Sequence, residues 1–260
     1  KSASGRTNCL RENVDPPASL SRLEGERLRI FFLCSDVVEG EGPQGNYVYG
    51  RAEEIAKTVR RLVTAGVPPS RIVLAGHSAG GWSSLMLQAT QDLGIAGVVA
   101  FAPAFAGPKI GESLGLTWRT VARPAQIKQL VSGRPLRALV FAYEGDAFEE
   151  PDDLRFLTQA FPDSVEVVGY SCKGVREAHF TIRGDCREED TARRIRAFID
   201  QAVQRAGVSF TSTTNTNATF NQPRYVDDLD AVIGGYGAFR AIKAATPGPY
   251  TFILPATGEV

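Results

Sequence analysis

The sequence has 260 residues, of which 43% are hydrophobic. This is enough for one large domain or two small ones with a buried core, and it excludes a disordered or collagen-like chain. The 29 basic and 29 acidic residues cancel without any block of like charge, so nothing indicates a nucleic-acid or anionic-membrane partner. The longest apolar runs, such as Leu28 to Cys34, are far shorter than the roughly 20 residues that a membrane-spanning helix needs.

Short apolar runs alternate with segments of helical periodicity between residues 28 and 206. The apolar runs predict strands at residues 28–34, 72–75, 98–102, 136–143 and 165–170. The periodic segments predict helices over residues 52–63, 79–93, 118–131, 151–161 and 192–203. Because the strands are continuously apolar and alternate with helices, the pattern predicts an α/β fold with a mostly parallel sheet covered by helices on both faces.

Two segments depart from this alternation. Residues 104–135 form the longest connection between predicted strands, and we expect them to form a small cap over the strand ends. After Gly207 the sequence becomes a polar tract, TSTTNTNATFNQ, and then a weakly patterned stretch that ends in YTFILPATGEV. No internal repeat is present, and we expect a single domain over residues 1–260.

The segment Gly76-His77-Ser78-Ala79-Gly80 fits the pattern G-x-S-x-G and lies between a predicted strand and a predicted helix. In this context the serine occupies a tight turn, and the small residues around it let strand and helix pass closely. The turn places the hydroxyl at the carboxyl end of the sheet, and the helix directs its first amides toward a developing oxyanion. The pattern predicts that Ser78 is a nucleophile; the alternative is an ordinary strand-to-helix turn.

A serine nucleophile needs a base, and the sequence has only two histidines. We do not expect the side chain of His77, inside the turn, to reach the neighbouring hydroxyl. His179 is therefore the candidate base, since it lies in a loop between the last predicted strand and the last helix, at the same sheet edge as Ser78. The alternative is a surface histidine in a polar loop.

The third residue of such a site is a carboxylate that orients the imidazole. Asp146 is the best candidate, because it follows the predicted strand ALVFAY in the turn EGDAF. Three other acidic residues are close enough in sequence to compete: Glu144, Glu149 and Asp152.

Two of the four cysteines, Cys172 and Cys186, bracket the polar loop that contains His179. A disulfide between them would stabilise the fold by roughly 3 kcal/mol and hold the histidine in place. Two disulfides predict a secreted or periplasmic protein, whereas four unpaired thiols would fit a cytoplasmic one.

These residues resemble the α/β-hydrolase superfamily, and within it the dienelactone-hydrolase-like and small-esterase branches. The resemblance covers residues 28–206 and rests on GHSAGG in a strand-turn-helix, an aspartate after a later strand and a histidine before the last helix. It implies Ser78 as the nucleophile, His179 as the base and Asp146 as the group that orients the base. It also implies the amide of Ala79 as one oxyanion donor. Dienelactone hydrolases carry a cysteine nucleophile, so the serine favours ester hydrolysis instead.

One part of the family pattern is missing at the start of the sequence. The residues before Leu28 are mostly polar and lack the strand and oxyanion loop that the family has upstream, whereas the C-terminal FILPATGEV resembles them. We therefore expect a circularly permuted order, in which residues 219–260 supply the first strands and the amide of Thr257 or Ala256 is the second oxyanion donor. The alternative is a C-terminal appendage, such as an oligomerisation arm.

The sequence as a whole predicts a serine hydrolase that cleaves a carboxylic ester through an acyl-enzyme. A peptidase, an amidase or a thioesterase would use the same residues, and a catalytically idle binding protein on this fold is the alternative from another class. We expect no cofactor and no metal, because neither phosphate-binding glycine spacing nor paired CxxC spacing occurs. The expected substrate is a small-molecule or polymeric ester, and the oligomeric state is left open.

Overall fold

The computed structural model describes residues 17–24, 28–35, 37, 47–106, 109, 118–172, 178–181, 186–205, 224–225 and 250–255. Six α-helices lie in these ranges: α1 (Ala18–Ser21), α2 (Tyr47–Thr64), α3 (Ala79–Thr90), α4 (Arg123–Ser132), α5 (Arg155–Ala160) and α6 (Glu188–Arg205). Single 3₁₀ turns occupy Pro69–Arg71, Pro151–Leu154 and Ala178–Phe180, and a π-helical turn occupies Trp118–Ala122.

The described part of the chain contains seven strands in one sheet: β1 (Leu28–Leu33), β2 (Ile72–His77), β3 (Gly97–Phe101), β4 (Ala138–Tyr143), β5 (Val165–Tyr170), β6 (Arg224–Tyr225) and β7 (Tyr250–Pro255). Every neighbouring pair is parallel, and the order across the sheet is β5-β4-β3-β2-β7-β1-β6. Because parallel strands all end at the same edge, the residues that follow β2, β4 and β5 leave the sheet on one side. Active sites of open α/β sheets lie at this carboxyl edge.

The α/β fold class predicted from the sequence is confirmed, and all five strands predicted between residues 28 and 170 are present. Three predicted helices differ in detail from the structure. The one over 118–131 is a π-helical turn followed by α4, because Pro124 lacks the amide hydrogen that a continuous α-helix needs there. The one over 151–161 begins as a 3₁₀ turn before α5. The helix predicted over 79–93 ends at Thr90, since the backbone of Gln91 is extended.

Helices cover both faces of the sheet, and each strand contributes alternate residues to the two faces. In β2, Ile72 and Leu74 pack with α2 and α3, while Val73 and Ala75 lie in the opposite layer with α1 and α6. The same alternation holds in β4, where Phe141 lies in the layer of α6. Burial on both faces explains why these strands are unbroken apolar runs in the sequence.

Helix α3, which begins directly after Ser78, is buried around its whole circumference from Ala79 to Leu87. It packs on the sheet and is covered by α2 and α4. The indole Nε1 of Trp82 donates to Gln126 Oε1 of α4 at 2.7 Å, which satisfies the one polar atom of a fully buried ring. The residues after the turn are therefore held by packing on all sides.

The C-terminal strand β7 lies in the interior of the sheet. It pairs with β1 from Leu28 opposite Tyr250 to Leu33 opposite Pro255, and with β2 through Ile72, which lies opposite Thr251. Both described strands of residues 219–260, β6 and β7, thus belong to the sheet. That they replace the first strands of the family, within one domain over 1–260 with a cap at 104–135, stays a prediction.

No helix in the ranges described above is both long enough and apolar enough to cross a membrane.

Two glycines allow β2 and α3 to cross closely. A Cβ atom on Gly76 would lie 2.4 Å from the carbonyl carbon of Gly80 and 2.6 Å from the amide nitrogen of Gly81. A Cβ atom on Gly81 would in turn lie 2.8 Å from the carbonyl oxygen of Gly76. Backbone atoms on both sides leave no flexible group that could move aside, so the crossing requires glycine for space.

We expect Gly76→Ala to lower the free energy of unfolding by about 3 kcal/mol, because the methyl group forces α3 away from the sheet. Gly145→Ala is the control: φ is +79° there, but nothing lies within 4 Å of the new Cβ, so only the backbone cost of about 1 kcal/mol remains. Urea unfolding of both variants measures the difference. Equal losses in the two variants would contradict this account of the crossing.

Candidate active site

Ser78 lies on a strained turn between β2 and α3. Its backbone has φ 52° and ψ −127°, a region that residues with a side chain rarely adopt. The amide of Ser78 donates to the carbonyl oxygen of Phe101 at 2.9 Å, and its own carbonyl accepts from the amide of Trp82 at 3.0 Å. The turn is thus tied to β3 on one side and to the first turn of α3 on the other. This strand-turn-helix is the context that G-x-S-x-G requires.

The structure brings together the three predicted site residues at the carboxyl edge of the sheet. His179 Nε2 lies 2.8 Å from Ser78 Oγ, and His179 Nδ1 lies 2.8 Å from Asp146 Oδ2. Because an ionised carboxylate can only accept, the proton lies on Nδ1, and Nε2 accepts from the serine hydroxyl. All three side chains are buried. The arrangement can therefore pass a proton from the hydroxyl to the imidazole.

Both oxygens of the Asp146 carboxylate are held in the loop after β4. Oδ2 accepts from His179, and Oδ1 accepts from the amide of Phe148 at 2.7 Å. The preceding Gly145 takes the left-handed conformation, and its amide donates to Glu150 Oε1 at 2.9 Å. The carboxylate is thus fixed by its own loop before it meets the imidazole.

The other acidic residues that competed in the sequence have different positions. Glu144 is exposed, and Asp152 forms an exposed ion pair with Arg155. Glu149 is fully buried and is bound by the bidentate guanidinium of Arg123, with both N···O distances at 2.7 Å. Of the four candidates, Asp146 is the one whose carboxylate is hydrogen-bonded to the imidazole of His179.

The Glu149 carboxylate belongs to an ion cluster that sequence reasoning missed. Arg119 of the π-helical turn lies 3.4 Å from it, and Arg123 of α4 also donates to the carbonyl oxygen of Asp153 at 2.9 Å. Lys109 adds an ammonium bound to Glu150 and Asp153. Burial raises the pKa of the Glu149 carboxyl, and the two guanidinium groups oppose that rise. Basic residues of the segment 104–135 therefore hold the loop that carries Asp146.

Phe148 is a second residue that the sequence did not indicate. Its ring packs on the imidazole of His179, with centroids 4.3 Å apart and the planes tilted by 43°. The side chain is half-buried, so it lies at the border between the site and solvent. A hydrophobic residue two positions after an aspartate is not a recognisable sequence motif. The role of Phe148 depends on where the loop after β5, which carries His179, lies in the folded protein.

The loop that carries His179 is closed at its base by two contacts. Cys172 and Cys186 form the disulfide that their positions predicted, with Cα atoms 5.9 Å apart. Tyr170, at the end of β5, donates its hydroxyl to Asp190 Oδ2 in α6 at 2.7 Å, and this bond helps to lower the pKa of Asp190 to about 2. The two ends of the loop are therefore held together.

Of the predicted oxyanion donors, Ala79 lies in the described part of the chain. Ala79 is the first residue of α3, so its amide has no acceptor within the helix, and it lies at the positive end of the helix dipole. Thr257 and Ala256 lie outside the described residues, and their role stays a prediction. The strand that precedes them, β7, ends at Pro255 next to β2, at the same edge as Ser78. Within the described ranges, no group of three or more His, Cys, Asp or Glu side chains could hold a metal ion.

Comparison with known families agrees with this geometry. A family model described as phospholipase/carboxylesterase matches residues 38–117, which contain the turn at Ser78 and helix α3. This match and the parallel α/β sheet make the chain similar to the α/β-hydrolase superfamily. No curated protein sequence matches this chain.

Solved structures show distant likeness to this chain. A complex of DcsB with its substrate analogue is 15% identical, with a TM-score of 0.48 over 65% of this chain and 75% of that chain. Esterase 2 of Thermogutta terrifontis, phosphonylated by sarin, is 14% identical, with a TM-score of 0.47 over 68% and 85%. SOBER1 of Arabidopsis thaliana is 13% identical, with a TM-score of 0.41 over 62% and 68%. The strand order and the strand-turn-helix at Ser78 define the fold independently of these likenesses.

We expect Glu149→Gln to lower the free energy of unfolding by about 3 kcal/mol, because it leaves Arg123 and Arg119 partly buried without a carboxylate. Asp152→Asn, which breaks an exposed ion pair in the same region, is the matched control and should cost less than about 0.5 kcal/mol. Urea unfolding measures both changes. Similar small losses in the two variants would show that the cluster does not hold the Asp146 loop.

We expect the double variant Cys172→Ala and Cys186→Ala to lose about 3 kcal/mol of unfolding free energy, because the unfolded chain is no longer cross-linked. This variant is preferable to a reducing agent, since Cys34 is also disulfide-bonded. Thermal and urea unfolding measure the loss. An unchanged unfolding midpoint would mean that the loop of His179 is held without the disulfide.

Proposed function

We propose that this α/β-hydrolase is a serine esterase that cleaves a carboxylic ester through an acyl-enzyme intermediate. The observation that carries the proposal is the hydrogen-bonded chain from Ser78 Oγ through the imidazole of His179 to Asp146, with both heavy-atom distances at 2.8 Å. The imidazole is thus already within hydrogen-bond distance of both the nucleophile and the orienting carboxylate.

In the first half of the reaction, Ser78 Oγ attacks the ester carbonyl carbon while its proton passes to His179 Nε2. Asp146 stabilises the imidazolium that forms. The negative charge on the former carbonyl oxygen faces the amide of Ala79 and the positive end of α3. When the carbon–oxygen bond to the alcohol breaks, Nε2 returns the proton to the leaving alkoxide, which departs as the alcohol.

The second half repeats these roles with water. His179 Nε2 takes a proton from a water molecule, whose oxygen attacks the acyl carbon. The bond between that carbon and Ser78 Oγ then breaks, and the serine recovers its proton from Nε2. The acid leaves, and the enzyme returns to its starting state with no oxidant, metal or cofactor consumed.

The match to the phospholipase/carboxylesterase model supports an ester as the bond that is cleaved. Amides and thioesters react through the same residues, so the choice among them is a matter for the experiment. The substrate class, a small-molecule or polymeric ester, is part of the proposal. We also propose a secreted or periplasmic location, because Cys34, Cys172 and Cys186 are all disulfide-bonded.

We expect Ser78→Ala to lower kcat/KM for p-nitrophenyl esters by at least about 10⁴-fold, since the proposed acyl-enzyme forms on the hydroxyl that this change removes. Ser83→Ala is the matched control. Ser83 is buried like Ser78, but it lies within α3 and its hydroxyl donates to the carbonyl of Ala79 at 2.7 Å. The control should react with a fluorophosphonate probe as the unchanged protein does, and Ser78→Ala should not.

Two results would contradict this function. Labelling of Ser78→Ala at the rate of the unchanged protein would place the nucleophile elsewhere, and absence of labelling in the folded, unchanged protein would favour an idle binding protein. Rates for matched esters, thioesters and anilides of one acyl group then separate an esterase from a thioesterase and an amidase. The proposal requires the ester rate to exceed the anilide rate by more than the intrinsic difference in reactivity.

A further inference from the structure

His77 makes a contact that the proposed reaction does not use. Its Nε2 lies 2.8 Å from the backbone carbonyl oxygen of His179, a residue 102 positions further along the chain. A carbonyl oxygen can only accept, so His77 Nε2 carries a proton and donates it. The His77 side chain is 8% exposed, which means that water competes little for this hydrogen bond.

The two partners differ in how firmly the fold holds them. His77 is the last residue of β2, pairs with Phe101 of β3 and directly precedes Ser78. His179, in contrast, lies on a single 3₁₀ turn, Ala178–Phe180, and the Cys172–Cys186 disulfide that closes its loop is seven positions away in either direction. The hydrogen bond from His77 therefore connects the base to a buried strand in the interior of the sheet.

Different residues contact the ring of His179 and its backbone. Asp146 and Phe148 contact the ring, and these two residues belong to the loop after β4. The donor on His77 contacts the backbone, and the two imidazole rings lie with centroids 5.0 Å apart and planes tilted by 44°. Removing the donor would leave these ring contacts in place and remove one bond that ties the backbone of His179 to β2.

We propose that His77 is a positioning residue, which sets the distance between His179 Nε2 and Ser78 Oγ by donating a hydrogen bond to the backbone of the base. The proposal deepens the serine esterase mechanism and rests on it. One short segment thus carries the nucleophile and holds the base. The position before the nucleophile requires a side chain whose hydrogen-bond donor is about the fourth heavy atom from the backbone. This requirement is separate from the need for space in the turn.

The test compares side chains that differ in reach. His77→Gln places an amide donor where Nε2 lies, His77→Asn carries the same amide one methylene short, and His77→Phe keeps a ring without a donor. We expect kcat for a p-nitrophenyl ester to fall about 10- to 100-fold in Asn and Phe, with KM within about threefold. In Gln it should stay within about fivefold of the unchanged protein.

A second readout does not depend on turnover. The sequence has two histidines, so the Gln, Asn and Phe variants retain only His179. The low-field proton resonance of His179 Nδ1–H, bound to Asp146, should persist in Gln and broaden in Asn and Phe as the base loses its fixed position. Should the Phe variant fail to fold, Gln and Asn still decide the question, since the two amides differ only in length.

A kcat for the Asn and Phe variants within twofold of the unchanged protein, or a Gln variant no better than Asn, would overturn the role of His77. Failure of the mechanism itself gives a different result, because Ser78→Ala would then keep its activity. Loss of activity in Ser78→Ala together with full activity in His77→Asn refutes the positioning role alone.

Discussion

The hydrogen bond between His179 Nε2 and Ser78 Oγ joins two residues that are 101 positions apart, and it exists because parallel strands end at one edge of a sheet. β2 delivers the serine, β4 the aspartate loop and β5 the histidine loop to that edge. The strained turn at Ser78, with φ 52°, lifts the hydroxyl out of the sheet toward the other two loops. Close packing of Gly76 against Gly80 maintains this turn, so the chemistry depends on a backbone crossing with no room for a methyl group.

The loop after β4 carries more than the orienting carboxylate. Asp146 and Phe148 contact the imidazole from this loop. The next residue, Glu149, faces away from the imidazole, toward Arg123. A buried ion pair of this kind contributes little net stability, but separating its partners is costly. Its effect here is to couple the segment 104–135 to the position of the base.

Strand β7 brings residues 250–255 into the interior of the sheet, between two strands from early in the sequence. It is the only described strand between β1 and β2, which do not pair with each other. The β2 strand that delivers Ser78 thus has a C-terminal neighbour on one side and β3 on the other. Pairing between residues this distant in sequence closes a long loop, and the entropy of that closure opposes the contact.

The sequence alone determined the features that depend on local chemistry. Unbroken apolar runs revealed the strands, G-x-S-x-G revealed the turn, and the count of histidines left His179 as the candidate base. Only the tertiary structure decided which acidic residue meets that base, that Glu149 faces Arg123, and that His77 donates to a backbone carbonyl 102 residues away. Strand periodicity and tight turns follow from the conformations of neighbouring residues, whereas a side chain's partner depends on where separate loops arrive once the sheet has formed.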